Sequence, residues 1–322
     1  MTRWLAALTS VLWLGAAASA QEAFPTKSVR VVVPTSPGGV TDTTARALAQ
    51  RLTEVWGQQV FVENRAGANQ MPALEFVTKA PPDGHTLMVV SDGPFVMFPH
   101  LHSKLPYDPV NGFTPISALV GIHQALIVHP SLGVNTVREL IALGKAKPGQ
   151  LNYAAFGIGS SGHLNMEQFQ SMAGVKFVVV QYKGATPGLT DVIGGHVPMM
   201  IISVGSALPA YRAGQVRMLG IGSSKRLAEL PDIPTIAESG LSGFESRSWF
   251  ALYGPPGMPR PIVGKINDAV RKIFEEPAFR EKFLTPYLFE SLVSTPEQFA
   301  QFLKDETARW GQVIRDANIK LD

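Results

Sequence analysis

Two glycine-rich segments, about 120 residues apart, constrain the fold of this chain more than any other feature. Residues 37–39 follow the apolar run 29–33, and residues 157–162 follow a second strand-like run, 151–156. A helical pattern comes directly after each glycine segment. A glycine loop between a strand and a helix bares backbone N–H groups, and the helix dipole adds partial positive charge there. Each loop therefore predicts an anion site, and two facing loops would clamp one anion across a cleft.

Strand-like and helix-like segments alternate along the rest of the chain. The run 29–33 is continuously apolar, which is typical of a strand buried on both faces. Residues 41–56 place their apolar side chains at helical spacing, with Thr41 or Asp42 as the expected N-cap. This alternation predicts an α/β fold whose lobes are doubly wound sheets of mostly parallel strands, with helices on both faces.

Two apolar runs, near 118–128 and 246–253, predict strands that cross between two lobes. We therefore predict lobe 1 over 21–122 and lobe 2 over 123–247. The chain then returns to lobe 1 over 248–322 with a strand and the C-terminal helices. A chain of 322 residues is long enough for two such lobes.

The N-terminus has the pattern of an export signal. An apolar run behind Arg3 ends at the small-residue site 18–20, and it is too short to span a membrane comfortably. This pattern predicts a signal peptide over 1–20 that is cleaved after Ala20. The protein is therefore expected to be exported.

The composition excludes several kinds of site. The chain has no cysteine, which excludes disulfides, cysteine nucleophiles and thiolate metal sites. Its net charge is only +3, and the Lys and Arg residues are scattered, so we expect no nucleic-acid partner. His100 and His102 lie close together, but no HExxH motif or acidic cluster accompanies them. We expect a solvated pair there and no metal site.

The second glycine loop matches a dinucleotide-binding spacing only in part. Gly157, Gly159 and Gly162 have the G-x-G-x-x-G spacing. The acidic residue expected about 20 positions later is missing, since Gln181 and Tyr182 stand there. This favours a carboxylate or another small anion over a nucleotide cofactor.

The same loop contains two serines but lacks the spacing of a nucleophile elbow. That motif requires glycine two residues before and two residues after the serine. Ser160 has Ile158 before it, and Ser161 has His163 after it. We therefore expect no catalytic residue in this loop, with His163 lining the cleft from the first turn of a helix.

Three further residues are candidates for contact with a ligand in the cleft. Asp42 follows the first loop, and an N-cap role that holds the loop amides explains it better than catalysis does. Lys183 ends a strand and would either steer anions or simply be solvated. Ser203 begins a second small-residue segment, 203–206, between a strand and a helix.

The chain resembles a known family over nearly all of its length after the signal peptide. It is similar to the extracytoplasmic solute receptors of tripartite tricarboxylate transporters, also called Bug receptors. The resemblance is carried, in order, by residues 24–30, 33–34, 38–42, 62–68, 82–87, 105–109, 151–153, 157–164, 182–184, 230–235, 238–240 and 248–250.

The resemblance implies a type II-like periplasmic binding protein without enzymatic activity or cofactor, whose two lobes close on the ligand. A carboxylate of a di- or tricarboxylate or of an aromatic acid is held between the glycine loops. The implied partners are a large and a small integral membrane permease subunit, served by a monomeric receptor in the periplasm. Carried over to this sequence, the carboxylate contacts are Pro37, Gly38, Gly39, Asp42, Gly159, Ser160, Ser161 and His163.

Three places depart from the usual pattern of the family or add to it. Residues 69–72 read Asn-Gln-Met-Pro where a glycine-rich stretch is usual, so a bulkier loop is expected at the rim of the cleft. Arg247 would either pair with a second ligand carboxylate or be solvated. Phe95 is expected to contact the apolar body of the ligand. Two alternative functions stay open: an exported two-lobe α/β hydrolase, and a receptor that presents its ligand to a membrane sensor.

Overall fold

The computed structural model describes residues 24–316 and residue 319. The predicted signal peptide, residues 1–20, and its cleavage site lie outside the described residues. In the part of the chain that is described, no helix combines the length and the apolar character needed to cross a bilayer.

Strands and helices alternate as the sequence predicts. The described strands are β1 (Val29–Val33), β2 (Val60–Asn64), β3 (Thr86–Ser91), β4 (Thr114–Val128), β5 (Asn152–Ala155), β6 (Val178–Gln181), β7 (Met199–Ser203), β8 (Arg217–Ile221), β9 (Arg247–Gly254) and β10 (Glu290–Ser291). The helices are α1 (Val40–Trp56), α2 (Met71–Thr78), α3 (Gly93–Val96), α4 (Phe98–Leu101), α5 (Val137–Ala146), α6 (Ser161–Ala173), α7 (Ala185–Ile193), α8 (Val204–Arg212), α9 (Arg260–Glu275), α10 (Pro277–Phe279) and α11 (Pro296–Asp316).

The strands form one continuous mixed path through both lobes. Their order is β2-β1-β3-β9-β4-β7-β5-β6, and β8 and β10 also pair with β4. β1 is parallel to β2 and β3, and β5 is parallel to β6 and β7. β4 and β9 run antiparallel to their neighbours. The expectation of mostly parallel strands was wrong, because the chain crosses between the lobes on β4 and returns on β9 in the opposite direction.

The long strand β4 belongs to both lobes. Up to His123 it pairs with β9, and from Gln124 onward it pairs with β7. The partner of His123 is Arg247, the first residue of β9. The two crossing strands are thus hydrogen-bonded to each other. The predicted lobe boundaries, after residues 122 and 247, fall at this change of partner, and we retain them as a proposal.

Both faces of each sheet are covered by helices. In lobe 1, Val31 packs into an apolar cluster with α1 and α9, whereas its neighbour Val32 packs into another with α2 and α11. In lobe 2, Leu126 joins α5 and α6 on one face, and Ile127 joins α7 and α8 on the other. Successive residues of a strand point to opposite faces, so continuously apolar strands are explained by this double covering.

The helix starts next to the glycine loops differ slightly from prediction. The N-cap of α1 is Gly39, whose φ is −80°, instead of Thr41 or Asp42. Asp42 lies in the first turn, and its carboxylate accepts a hydrogen bond from the N–H of Gly38 at 3.0 Å. It therefore holds a loop amide, as expected, but from within the helix. Helix α6 begins at Ser161, with Ser160 as its N-cap.

Candidate ligand-binding site

In the first glycine loop, Asp42 fixes the backbone. One of its carboxylate oxygens accepts from the N–H of Gly38 at 3.0 Å and from Arg46 at 2.9 Å, and the other accepts from Asn64 at 2.9 Å. Burial raises the pKa of Asp42, but these hydrogen bonds outweigh burial and hold the pKa below its ordinary value. Asp42 is therefore an ionised group whose oxygens are already used by the protein.

In the second glycine loop, His163 has the same structural role. The N–H of Gly159 donates to Nδ1 of His163 at 3.1 Å, and the backbone N–H of His163 donates to Oγ of Ser160 at 3.3 Å. Burial lowers the pKa of the His163 imidazole, although Glu167 acts in the opposite direction. The ring is thus neutral, with Nδ1 as an acceptor.

Four helices from the two lobes begin around one small inner cavity of about 50 Å³. Its lining includes the N-cap residues of α1, α6, α7 and α8, which are Gly39, Ser160, Gly184 and Ser203. First-turn amides have no partner within their own helix, and each helix dipole is positive at this end. Among the described residues that line this cavity, none carries a charged side chain. The positive potential there therefore comes from backbone dipoles.

Hydroxyl groups complete the inner cavity. Ser203 is only 3% exposed, and its Oγ has no hydrogen-bond partner in the described part of the chain. Ser161 Oγ accepts from Nε2 of Gln124 at 3.0 Å, which leaves the Ser161 proton free to donate. The orientation of the Gln124 amide is fixed by Asn165, whose Nδ2 donates to Gln124 Oε1 at 2.6 Å. Such donors are suited to the oxygens of a carboxylate.

A second, outer cavity of about 230 Å³ adjoins the inner one. Both cavities are lined by Thr35, Gln70, Phe156 and Ser160. The outer cavity adds polar and aromatic side chains from both lobes, among them Asn69, Phe98, Gln181 and Lys183. Its size and mixed lining suit the body of a ligand whose anionic end lies in the inner cavity.

The two lobes contact each other across this cleft. Ser36 Oγ donates to the carbonyl oxygen of Lys183 at 3.2 Å, and the N–H of Ile158 donates to Oδ1 of Asn69 at 3.2 Å. Gly159 has a φ of 73°, and a Cβ there would lie 3.0 Å from the ring of Phe98. Glycine is therefore required at 159 both by its backbone conformation and by the close approach of the other lobe.

The structure brings five of the predicted site residues to the two cavities. They are Gly39, Ser160, Ser161, Lys183 and Ser203. Lys183 is an exposed side chain on the outer cavity. Asp42 and His163 line neither cavity, contrary to the expectation for His163. They accept hydrogen bonds from the amides of Gly38 and Gly159, which line neither cavity either. Pro37 is exposed and lines neither cavity.

Two predicted residues lie elsewhere. Phe95 is buried in the core of lobe 1, where its ring stacks on Tyr253 with centroids 4.1 Å apart. Arg247 pairs with the Glu306 carboxylate of α11 at 3.3 Å. Neither residue lines either cavity. An apolar residue in a loop looks the same in sequence whether it lines a cleft or fills a core, and the partner of Arg247 is 59 positions away.

Other residues at the inner cavity were not identified from the sequence. They include Thr35, Gln124, Phe156, Gly184 and Ser206. Gln124 carried a usable signal, since it is a polar residue within a long apolar run. A buried polar side chain in such a run must be hydrogen-bonded, and it often belongs to a site.

Comparison with known proteins shows the family of this chain. A family model described as the tripartite tricarboxylate transporter family receptor matches residues 44–319. Protein BugT of Bordetella pertussis is 33% identical over 328 aligned positions, which cover all of this chain and 99% of that protein. The chain belongs to this receptor family. The resemblance seen in the sequence is thereby confirmed.

Solved structures support the receptor fold. R. palustris Rpa4515 with adipate is 34% identical, with a TM-score of 0.89, and the match covers 92% of this receptor and 100% of that chain. MatC (Rpa3494) from Rhodopseudomonas palustris with bound malate is 33% identical, with a TM-score of 0.85. The match covers 90% of this receptor and 100% of that chain. The receptor is thus a two-lobe periplasmic solute-binding protein of α/β class.

Proposed function

We propose that this receptor binds the carboxylate of a small organic acid in the inner cavity. The observation that carries the proposal is the convergence of four helix N-termini, from both lobes, on one cavity that also contains the buried hydroxyl of Ser203. The two similar structures named with adipate and malate support a carboxylate as the bound group.

Helix dipoles and hydroxyls are strong enough for this task. A helix start contributes about 0.3–1 kcal/mol to the binding of an anion, and up to about 2 kcal/mol where it is partly buried. A hydrogen bond to a charged group adds about 1.5–3 kcal/mol. Several such contacts, after the costs of ordering, reach the −8 kcal/mol or so of a micromolar complex. No cationic side chain is needed at the carboxylate.

We further propose that the receptor delivers its ligand to a large and a small membrane permease subunit. Export through a signal peptide cleaved after Ala20, a periplasmic location and a monomeric state belong to the same proposal. Family membership and the export pattern of residues 1–20 support it. Uptake of labelled ligand by cells that carry the permease genes, with and without the receptor, tests delivery. Uptake that does not depend on the receptor would favour the alternative of a membrane sensor.

The hydrolase alternative has no support in the geometry of the second loop. Ser160 Oγ accepts from the backbone N–H of His163, and ring atom Nδ1 of His163 accepts from Gly159. Nδ1 of the imidazole is thus occupied by a loop amide, which does not favour a role as a base for this serine. The arrangement is that of a helix cap, which suits binding.

Calorimetry with the purified mature protein tests carboxylate binding. We expect micromolar binding of at least one acid from a panel of adipate, malate, citrate and benzoate, with a rise in melting temperature. The corresponding amides and methyl esters are matched controls and should not bind, because they lack the anion. A folded sample that binds none of these acids would refute the proposal, as would equal binding of an acid and its amide.

A further inference from the structure

The segment Asn69–Gln70 has an unusual backbone at the rim of the cleft. Asn69 has a φ of 51° and Gln70 a φ of 71°, both in the left-handed region that favours glycine. Asparagine tolerates this region, but glutamine does so less readily. The segment is held by the N–H of Gln70, which donates to the carbonyl oxygen of Gly67 at 2.8 Å, and by the bond from Ile158 to Asn69. Strain of this kind is typical of ligand sites.

The side chain of Gln70 lies where the two cavities meet. It lines both the inner and the outer cavity. Its Oε1 is buried and has no hydrogen-bond partner within the described residues. A buried polar atom without a partner is unfavourable, so a donor group of a bound ligand would stabilise this position.

The chemistry of Gln70 Oε1 determines which group of a ligand can form a hydrogen bond with it. The hydroxyls of Thr35 and Ser203 are also buried and unpartnered among the described residues, but a hydroxyl can donate to a carboxylate. A carbonyl oxygen such as Gln70 Oε1 can only accept. A ligand that fills this position must therefore carry a hydrogen-bond donor close to its carboxylate.

We propose that Gln70 makes the receptor selective for hydroxy acids, whose hydroxyl lies one or two carbons from the carboxylate. The carboxylate occupies the inner cavity and the hydroxyl donates to Gln70 Oε1. This inference rests on the proposed function and names the ligand class of the same site. An ammonium donor is disfavoured, because four helix N-termini surround the inner cavity and none of the described lining residues of either cavity is acidic.

Matched ligand pairs test the inference by calorimetry. The pairs are malate and succinate, 2-hydroxyadipate and adipate, and 3-phenyllactate and 3-phenylpropionate, with both enantiomers of each hydroxy acid. For at least one pair that binds, the hydroxy acid should bind about 10- to 100-fold more tightly than its partner, as expected when one buried acceptor is otherwise left unpaired.

Two variants assign this preference to Gln70. Gln70→Leu keeps the size of the side chain but removes the acceptor, so the ratio of the two affinities should fall to about 1. Gln215→Leu is the matched control, because Gln215 is exposed and lines neither cavity, and it should keep the ratio. Gln70→Gly should also lose the ratio, while raising the melting temperature of the ligand-free protein, because glycine relieves the left-handed backbone.

The possible outcomes distinguish failure of the hydroxy-acid preference from failure of carboxylate binding. Equal affinities within every pair, or a ratio that survives in Gln70→Leu, would overturn the inference while leaving carboxylate binding in place. Equal weakening of both members by Gln70→Leu would also overturn it, since the amide nitrogen would then face the carboxylate. If no acid of any pair binds to the folded protein, the proposed function fails and the inference fails with it.

Discussion

The backbone N–H of Gly159 donates to Nδ1 of His163 at 3.1 Å, from a loop to the first turn of the helix that follows. The first glycine loop has the same relationship, since the N–H of Gly38 donates to Asp42 at 3.0 Å. In both cases the acceptor follows four residues after the donor. Each loop is thus fixed by its own helix, and the N–H groups that remain for a ligand are those of the helix starts.

Acidification should loosen the second loop. Burial lowers the pKa of His163, with an opposing effect of Glu167, so the unfolded chain binds this proton more readily than the native protein does. The contribution of His163 to the free energy of unfolding should therefore fall as the pH falls below about 6.5, the ordinary pKa of histidine. Ligand affinity should fall with it, because a protonated Nδ1 no longer accepts from Gly159.

Denaturation and calorimetry between pH 7.5 and pH 5 measure this effect. In His163→Gln, the part of the pH dependence due to this residue should disappear. His196→Gln, at an exposed position, is the matched control and should behave as the unmodified protein does. A wild-type affinity that is flat across this range would contradict the prediction.

Ser203 and Ser160 should separate binding from stability. Ser203 Oγ is buried and lacks a partner among the residues described here, so Ser203→Ala should not lower the free energy of unfolding. It should weaken carboxylate binding about 10- to 100-fold, through loss of one charged hydrogen bond. Ser160→Ala also removes a helix cap and should cost about 0.5–2 kcal/mol of stability. The reverse pattern in urea denaturation and calorimetry would refute these roles.

Gly39→Val should abolish binding without unfolding the protein. Gly39 lines the inner cavity, its φ of −80° suits any residue, and a Cβ there would meet nothing within 4 Å. The added side chain therefore fits the fold and occupies part of the cavity. Gly264→Val is the control, because its Cβ is also unobstructed but lies in helix α9. Calorimetry that shows equal affinity for both variants would place the ligand elsewhere.

Asp92 should give the protein a second pH dependence, of opposite sign. Burial raises the pKa of Asp92 from 3.8 to about 7, and Glu306 adds to the rise. The native state therefore holds this proton more tightly than the unfolded chain, so stability is lost as the pH rises from about 4 to about 7. At about 1.4 kcal/mol per unit, the loss amounts to at most about 4 kcal/mol.

Asp92→Asn removes this titration, and urea denaturation at pH 5 and pH 8 checks the expectation. The wild-type protein should lose more stability than the variant between the two values. The result would contradict the assignment if both lost the same amount.

Local pattern was enough to predict much of this fold. The glycine loops, the strand and helix order and the two crossing strands follow from apolar periodicity and turn residues within single segments. The antiparallel pairing of β4 with β9 did not follow, because it joins segments more than 120 residues apart.

The candidate site was harder to predict for the same reason. Glycine and serine at the helix starts were found, because each lies within a recognisable strand-to-helix turn. The burial of Phe95 against Tyr253 and the pairing of Arg247 with Glu306 depend on tertiary neighbours that no local pattern encodes. Gln124 and Gln70 acquire their significance only when four helix starts are brought together around them.

The hydrogen bonds from Ser36 to Lys183 and from Ile158 to Asn69 affect how a membrane partner would distinguish filled from empty receptors. All four groups belong to the protein, so these bonds favour closure whether the cleft is filled or empty. The closed conformation is then already populated without ligand. The ligand increases that population only to the extent that it binds the closed form more tightly than the open form. A membrane partner that recognised only the closed conformation would also bind receptors without ligand. Each such receptor would occupy a binding site on the partner without delivering a ligand. If the receptor delivers its ligand to a permease, as proposed, efficient uptake requires either that the permease sense the ligand directly or that the ligand saturate the receptor.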